Sequence, residues 1–360
     1  MIFFVAPFGD TWELEDYLQT YGKDLLGRAR VLTWDQIVTR QELPLGSYVF
    51  LAIDQMSATE KEIAAQCWEK LSQARPDITL INHPLQVLLR YDLLQLCFER
   101  KRNAFRVRRA SDFLRCHEFP VFLRREHDHN ASLTGLLHSR KELALAVAKS
   151  VCMGYRLRDL IVVQYCDTVD GTGTFRKYSS FIVGGRILPH TLMHSDNWIT
   201  KSHGRLIDAD TAREELEYLQ KNPHAEWLQE TFALAKIRYG RIDYGLCDGK
   251  PQVWEINTNP TIVRPVAAGP IPEEQRRVRD PVRQLFFASL QAALEAIDSV
   301  ADPSQTVRVE ISQKQRRMLG AEKQLRLRIQ ARKTAISQSA RLLLRSIRHL
   351  RRSIPCLQVL

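Results

Sequence analysis

Residues 241–261 read RIDYGLCDGKPQVWEINTNPT, and the pairing within this stretch decides the reading of the whole chain. Two apolar runs, IDYGLC and PQVWEIN, flank Asp248, Gly249 and Lys250. With Gly249 taking the left-handed backbone conformation, a three-residue hairpin loop is predicted. On that count Cys247 faces Pro251 and Asp243 lies opposite Glu255. Asn257 then shares the face of Glu255, because side chains alternate along a strand. Two carboxylates facing each other across a ladder, with β-carbons roughly 5 Å apart, repel unless something positive sits between them. A hard divalent cation, Mg²⁺ or Mn²⁺, resolves the conflict. Mg²⁺ is commonly held by one or two carboxylates and completes its shell with water and phosphate oxygens. The other reading is an exposed hairpin with two solvated acids and a turn-forming asparagine, and a one-residue slip would uncouple the pair.

Upstream, the first 85 residues alternate short apolar runs (IFFVA, YVFLAI, ITLI) with helix-compatible stretches such as ATEKEIAAQCWEKLSQA at 58–74. That rhythm predicts βα units on a mostly parallel sheet. PLQVLLRYDLLQLCFERKR predicts a helix over 84–101, with Pro84 in its first turn and Asn82 or His83 as cap. From about residue 118 the order is strand (FPVFLRR), helix (SRKELALAVAKSVC) and strand (LIVVQYC), followed by a hairpin turning at Gly184 and Gly185. Residues 208–237 read as helical, interrupted near Asn222 and Pro223. VRQLFFASLQAALEAID, after Pro281, is a closing amphipathic helix, and ADPS at 301–304 a linker.

The chain of 360 residues carries a formal charge of +11. Residues 303–360 hold 14 Lys and Arg against Glu310 and Glu322, a balance of +12, which leaves residues 1–302 at −1. On this reckoning the globular part is neutral, and a basic footprint belongs to the tail alone. Apolar residues at Met318, Leu325, Ile329, Ile336, Ala340, Leu343, Ile347, Leu350 and Ile354 make a helical stripe there. It points first to a helix docked on protein, in its own domain or through self-association. An anionic membrane surface comes next, and nucleic acid last, since stacking aromatics are almost absent. Seven cysteines without metal spacing, no basic leader and no run approaching the ~18 uncharged residues of a membrane span predict a cytoplasmic protein with reduced thiols. The histidines lack metal spacing, and neither a GxxxxGK[ST] nor a GxGxxG loop is present.

The string R-x-D, a hairpin, then E-x-N-x-x-P (Arg241, Asp243, Glu255, Asn257, Pro260) resembles the metal-binding end of the ATP-grasp superfamily of carboxylate–amine ligases, of the glutathione synthetase kind. The resemblance extends over roughly residues 80–265. It implies an α+β fold in which two lobes clamp ATP. A βα domain at 1–85 would precede a central lobe at 86–166 and a C-terminal lobe carrying the metal site at 167–300, with a basic amphipathic helical tail at 303–360. Arg124, where the family has a lysine, is the matching anchor for ATP phosphates; it keeps the charge but not the ammonium geometry, and the loop REHDHNAS after it has no glycine. Gln164, Tyr165, Cys166 and Asp167 match the segment that meets adenine. Arg176 and Arg241 match bases over the transferred phosphate, Lys201 a further phosphate contact, and Arg264 a holder of substrate carboxylate.

The implied function is ATP- and Mg²⁺-dependent joining of a small-molecule or peptide carboxylate to an amine or thiol, through an acyl phosphate. The alternative is a nucleotide-binding scaffold on the same fold with weak or no catalysis, acting through its tail.

Overall fold

The computed structural model describes residues 1–7, 11–129, 131–200, 205–206, 208–263, 273–299, 301–325 and 327–328. Its first unit is a βα assembly: β1 (Ile2–Ala6), α1 (Trp12–Thr20), β2 (Ala29–Thr33), α2 (Trp34–Arg40), β3 (Glu42–Pro44), β4 (Ser47–Phe50), α3 (Ala58–Ala74) and β5 (Leu80–Ile81). Strands β2-β1-β4-β5 form a wholly parallel sheet. All five residues of β1 are buried, as expected of a strand covered on both faces. Helix α3 begins where the sequence places it, because the Ser57 side chain and Glu60 close a reciprocal capping box.

The next helix differs from expectation. It is α4 (Arg90–Glu99), not 84–101. The Leu88 N–H is committed to the carbonyl of Ala235, 3.0 Å away, and Asn82 sits at φ 65°, so the preceding stretch turns before it can wind.

A small lobe follows, with β6 (Val107–Arg109), β7 (Val121–Arg125), α5 (Arg140–Cys152) and β8 (Leu160–Gln164) in the antiparallel order β6-β8-β7. Ser139 caps α5 by accepting from the Glu142 N–H. Leu143 and Val147 of α5 close a separate core over Val121, Leu123, Leu160 and Val162.

The third unit is built on β9 (Phe175–Val183), β10 (Arg186–Ser195), β11 (Arg205–Leu206), α6 (Ala209–Lys221), α7 (Ala225–Ala235), β12 (Tyr239–Cys247) and β13 (Lys250–Asn257). Its strands run in the order β11-β10-β9-β12-β13. Gly184 and Gly185, both at positive φ, make the expected two-residue turn. Asn222 at φ 42° ends α6 in the left-handed conformation, so the helical stretch breaks at the expected place.

Helix α8 (Glu273–Ile297) runs through Pro281, whereas the sequence places the helix after it. It binds two units together: Phe286 packs on Phe181 of β9 at 5.2 Å and Phe287 stacks on Tyr21 at 3.9 Å. Asn82 makes a second junction. Its amide donates to the carbonyls of Phe50 and Tyr239 (3.2 and 2.7 Å) and its Oδ1 accepts from the N–H groups of Arg238 and Tyr239 (2.9 and 3.1 Å).

The start of the tail packs on the N-terminal unit. It is not helical throughout: β14 (Thr306–Arg308) pairs antiparallel with β3, covering a strand that is otherwise an open edge. Residues 313–325 are helical. The docked face is not the one the apolar stripe predicts, since Met318 and Leu325 are exposed while Val309, Ile311 and Leu319 are buried. Glu322 accepts from Thr59 at 3.0 Å and Lys323 pairs with Asp35 at 2.7 Å. The stripe beyond Leu325 lies almost wholly outside the described residues. No described helix is long and apolar enough to cross a membrane, and the six described cysteines are free.

Candidate active site

The β12–β13 hairpin turns on two residues, Asp248 (φ 50°) and Gly249 (φ 73°), with Cys247 opposite Lys250. The predicted three-residue loop is therefore corrected to the left-handed two-residue turn that matches strand twist. Such a turn alone would set Asp243 against Trp254. A β-bulge between Asp243 and Tyr244 restores the phase, so that Asp243 does lie opposite Glu255 and Arg241 opposite Asn257. The ring of Trp254 lies over Gly245, where an added Cβ would come within 2.4 Å of it.

Both acids face a cleft between the small lobe and the five-stranded sheet, and both are surrounded by cations. Glu255 is gripped by Arg90 at the start of α4 and by Arg124 of β7, the latter at 3.1 Å. Asp243 accepts from Arg241 at 2.9 Å and pairs with Lys177 of β9 at 3.3 Å. Burial works to raise the Glu255 carboxyl pKa, but Arg90 and Arg124 outweigh it and hold the group well below the usual range. For Asp243 burial is likewise overcome, by Arg241 and Lys177. The conflict between facing carboxylates is thus relieved by side chains. Arg124 itself is lowered, first by burial and then by Arg90. Arg90 also donates to the carbonyls of Arg125, Glu126 and Asp128 at 3.1, 2.7 and 2.8 Å, pinning the loop after β7.

The other end of the cleft is apolar. Phe122 and Tyr165 pack on Trp198 with ring centres 5.1 and 5.8 Å apart, and Gln164, Tyr165 and Cys166 line the wall. The Gln164 side chain is committed to the Arg106 N–H at 3.0 Å and the Tyr165 N–H to the Pro120 carbonyl at 2.9 Å. Asp167 points along its own loop, accepting from the Tyr165 hydroxyl and the Val169 N–H.

Two expected members lie elsewhere. Arg176 is tied to Asp170 and Glu214 and does not line the cleft; its neighbour Lys177, on the opposite face of β9, does. Asn257 is buried with its Oδ1 accepting from the Asn259 N–H at 2.8 Å. Lys201 and Arg264 lie outside the described residues. Lys177 was findable from strand alternation once β9 was registered against β12. Arg90 carries no local sequence signal.

Among the described residues no group of three or more His, Cys, Asp or Glu forms a metal cluster. The donor set facing the cleft is two ionised carboxylates. Four cations (Arg90, Arg124, Lys177, Arg241) against two carboxylates leave the cleft with an excess of +2. A divalent ion arriving with phosphate oxygens fits such a set, since the phosphates can take over the cations as the metal takes the carboxylates.

No protein-family model matches the sequence, and no curated protein does. Many solved structures are similar in chain course, the following three among them. One is the ATP-grasp ligase PsnB complexed with minimal precursor, at 9% identity and TM-score 0.48, covering 82% of this chain and 99% of that one. Another is D-alanine–D-alanine ligase from Bacillus anthracis complexed with ATP, at 10% identity and TM-score 0.45, covering 82% and 98%. The third is D-cycloserine synthetase DcsG, at 16% identity and TM-score 0.45, covering 79% and 99%.

Proposed function

We propose that this chain is an ATP-grasp enzyme that uses Mg–ATP to join a carboxylate to an amine or thiol through an acyl phosphate. The observation that carries the reading is the register of Asp243 against Glu255 inside a cation-rich cleft with an aromatic end. Mg–ATP, carrying about two negative charges, complements the excess of two positive ones. Asp243 and Glu255 would hold the metal. Arg124, Lys177 and Arg241, exchanged off the carboxylates, would take phosphate oxygens, so that Lys177 serves where Arg176 was expected. The main chain of 164–166 and the Trp198 ring would receive the base. Bound metal supplies neutralisation of the charge that spreads over a transferred phosphoryl group; the protein's share is positioning and a preset field.

The test is thermal unfolding of wild type and Asp243→Asn with Mg²⁺ and ATP. At a hundredfold excess over Kd, a ligand specific for the folded state stabilises it by about 2.7 kcal/mol. A Mg²⁺-dependent rise lost in the variant supports the reading, and no rise in wild type refutes it.

One observation favours a second reading, a nucleotide-binding protein without turnover. Arg124 stands where a lysine is expected and is bound to Glu255. Under that reading Mg–ATP raises stability while no combination of acids and amines releases ADP.

A further inference from the structure

The near-neutral balance of residues 1–302 conceals a division. Residues 86–166, most of them in the small lobe, hold 15 Lys and Arg against 8 Asp and Glu, a balance of +7. The other residues up to 302 are correspondingly acidic. Some of the +7 belongs to the cleft, through Arg90 and Arg124, but Arg115, Lys141, Lys149, Arg156 and Arg158 are exposed on the lobe's outer side. Of these, only Arg158 faces an acid among the described residues, Asp159 at 3.7 Å.

The same side carries apolar side chains with no cover. Helix α5 buries Leu143 and Val147 inward and presents Leu145 (64% exposed), Ala148 and Cys152 along its opposite face, with Lys141 and Lys149 flanking them. Met153, just past the helix, is 66% exposed. Leu114 lies on a short 3₁₀ turn against which α5 packs, and Leu157 on the next turn, which packs on that one. Scattered exposed leucines need no explanation, whereas a group on adjoining elements inside a basic rim marks an interaction surface.

We propose that the outer face of α5 and its two neighbouring turns docks an acidic, amphipathic peptide segment of a protein partner. The partner's apolar side chains sit on Leu145 and Met153, and its carboxylates meet Lys141, Lys149 and Arg115. The chain's own tail is excluded as the occupant by charge, because residues 323–360 contain no Asp or Glu. A polynucleotide would leave the leucines and methionine without a counterpart, and the patch offers no exposed aromatic ring for stacking. A bilayer calls for a continuous apolar stripe, whereas here the apolar groups come from three short elements with Asp112 and Glu142 exposed among them. The proposal is independent of the nucleotide site.

The probe is a fluorescein-labelled 16-residue peptide, two repeats of Glu-Leu-Leu-Glu-Glu-Leu-Leu-Glu, titrated with the full chain by anisotropy at low and physiological salt. Binding should weaken with salt and fall roughly tenfold or more in Leu145→Glu/Lys149→Glu. Met153→Glu gives an independent reading of the same face. Lys70→Glu, on the far α3, should leave binding unchanged. Equal affinity for a 16-residue poly-glutamate would overturn the proposal by reducing it to charge alone. So would tighter binding of single-stranded RNA, Leu145-dependent sedimentation with phosphatidylserine vesicles, or a dimer in sedimentation that Leu145→Glu dissolves.

Discussion

Replacing Glu255 with Gln removes the acid that pairs with both Arg90 and Arg124, whose side chains are only 6% and 15% exposed. Breaking a buried ion pair by deleting one partner costs about 3–5 kcal/mol. Here the lower end is appropriate or slightly below it, since Arg90 keeps its three backbone carbonyls and glutamine keeps an acceptor oxygen. We expect a loss of about 2–3 kcal/mol at pH 7, a fall in Tm of about 3–4 °C for a chain of 360 residues. The pH dependence fixes the cause. The folded pKa of Glu255 is depressed, so its contribution is fully present above the unfolded value near 4.3 and is lost as pH falls from there toward the folded value. At 1.36 kcal/mol per pH unit, about 1.8 kcal/mol of the difference between wild type and variant should be gone by pH 3. Urea unfolding of both proteins at pH 7, 5, 4 and 3 measures it. Equal stability at pH 7, or a gap that stays constant down to pH 3, would refute the reasoning.

Lys177→Met should abolish most of the Mg–ATP-dependent rise in Tm, whereas Arg176→Met should retain it at lower basal stability; the reverse pattern in a thermal-shift assay would return Arg176 to the cleft. Gly184→Ala should destabilise by about 1–3 kcal/mol, because the position holds φ 62° and an added Cβ would meet Ile297 Cγ2 at 2.3 Å; unchanged urea midpoints would contradict this. Ending the chain at 304 should cost several kcal/mol by uncovering β3 and removing Val309, Ile311 and Leu319, each worth about 1.5–3 kcal/mol when fully buried. A midpoint equal to that of the full chain would show that the strand pairing contributes nothing.

Elements with their own punctuation were legible in the sequence. Ser57 with Glu60, Ser139 with Glu142 and Asn222 mark helix ends through bonds to nearby backbone, and Gly184–Gly185 marks a turn through its torsions. The pairing of Asp243 with Glu255 was also legible, though by two departures that cancel: the loop is one residue shorter than counted, and the bulge returns that residue. What failed was what depends on distant chain. The start of α4 is set by the Ala235 carbonyl, the face of β9 that enters the cleft by its pairing with β12, and Arg90's partner lies 165 residues away. Charge summed over 302 residues hid a basic lobe beside acidic neighbours, because a sum discards position.

Asn82 has a mechanical consequence. By bonding at once to the end of β4 and to the first residue of β12, it leaves the N-terminal unit and the strand bearing Asp243 no slack to part, and α8 fastens the same two bodies from the other side. They form a single frame. The small lobe, with a core of its own, is then the jaw: any widening of the cleft to admit a ligand must swing residues 107–164 about their connections to that frame, and the Arg124–Glu255 ion pair, with the Arg90 bonds to the carbonyls of Arg125, Glu126 and Asp128, is the latch that such a swing must release.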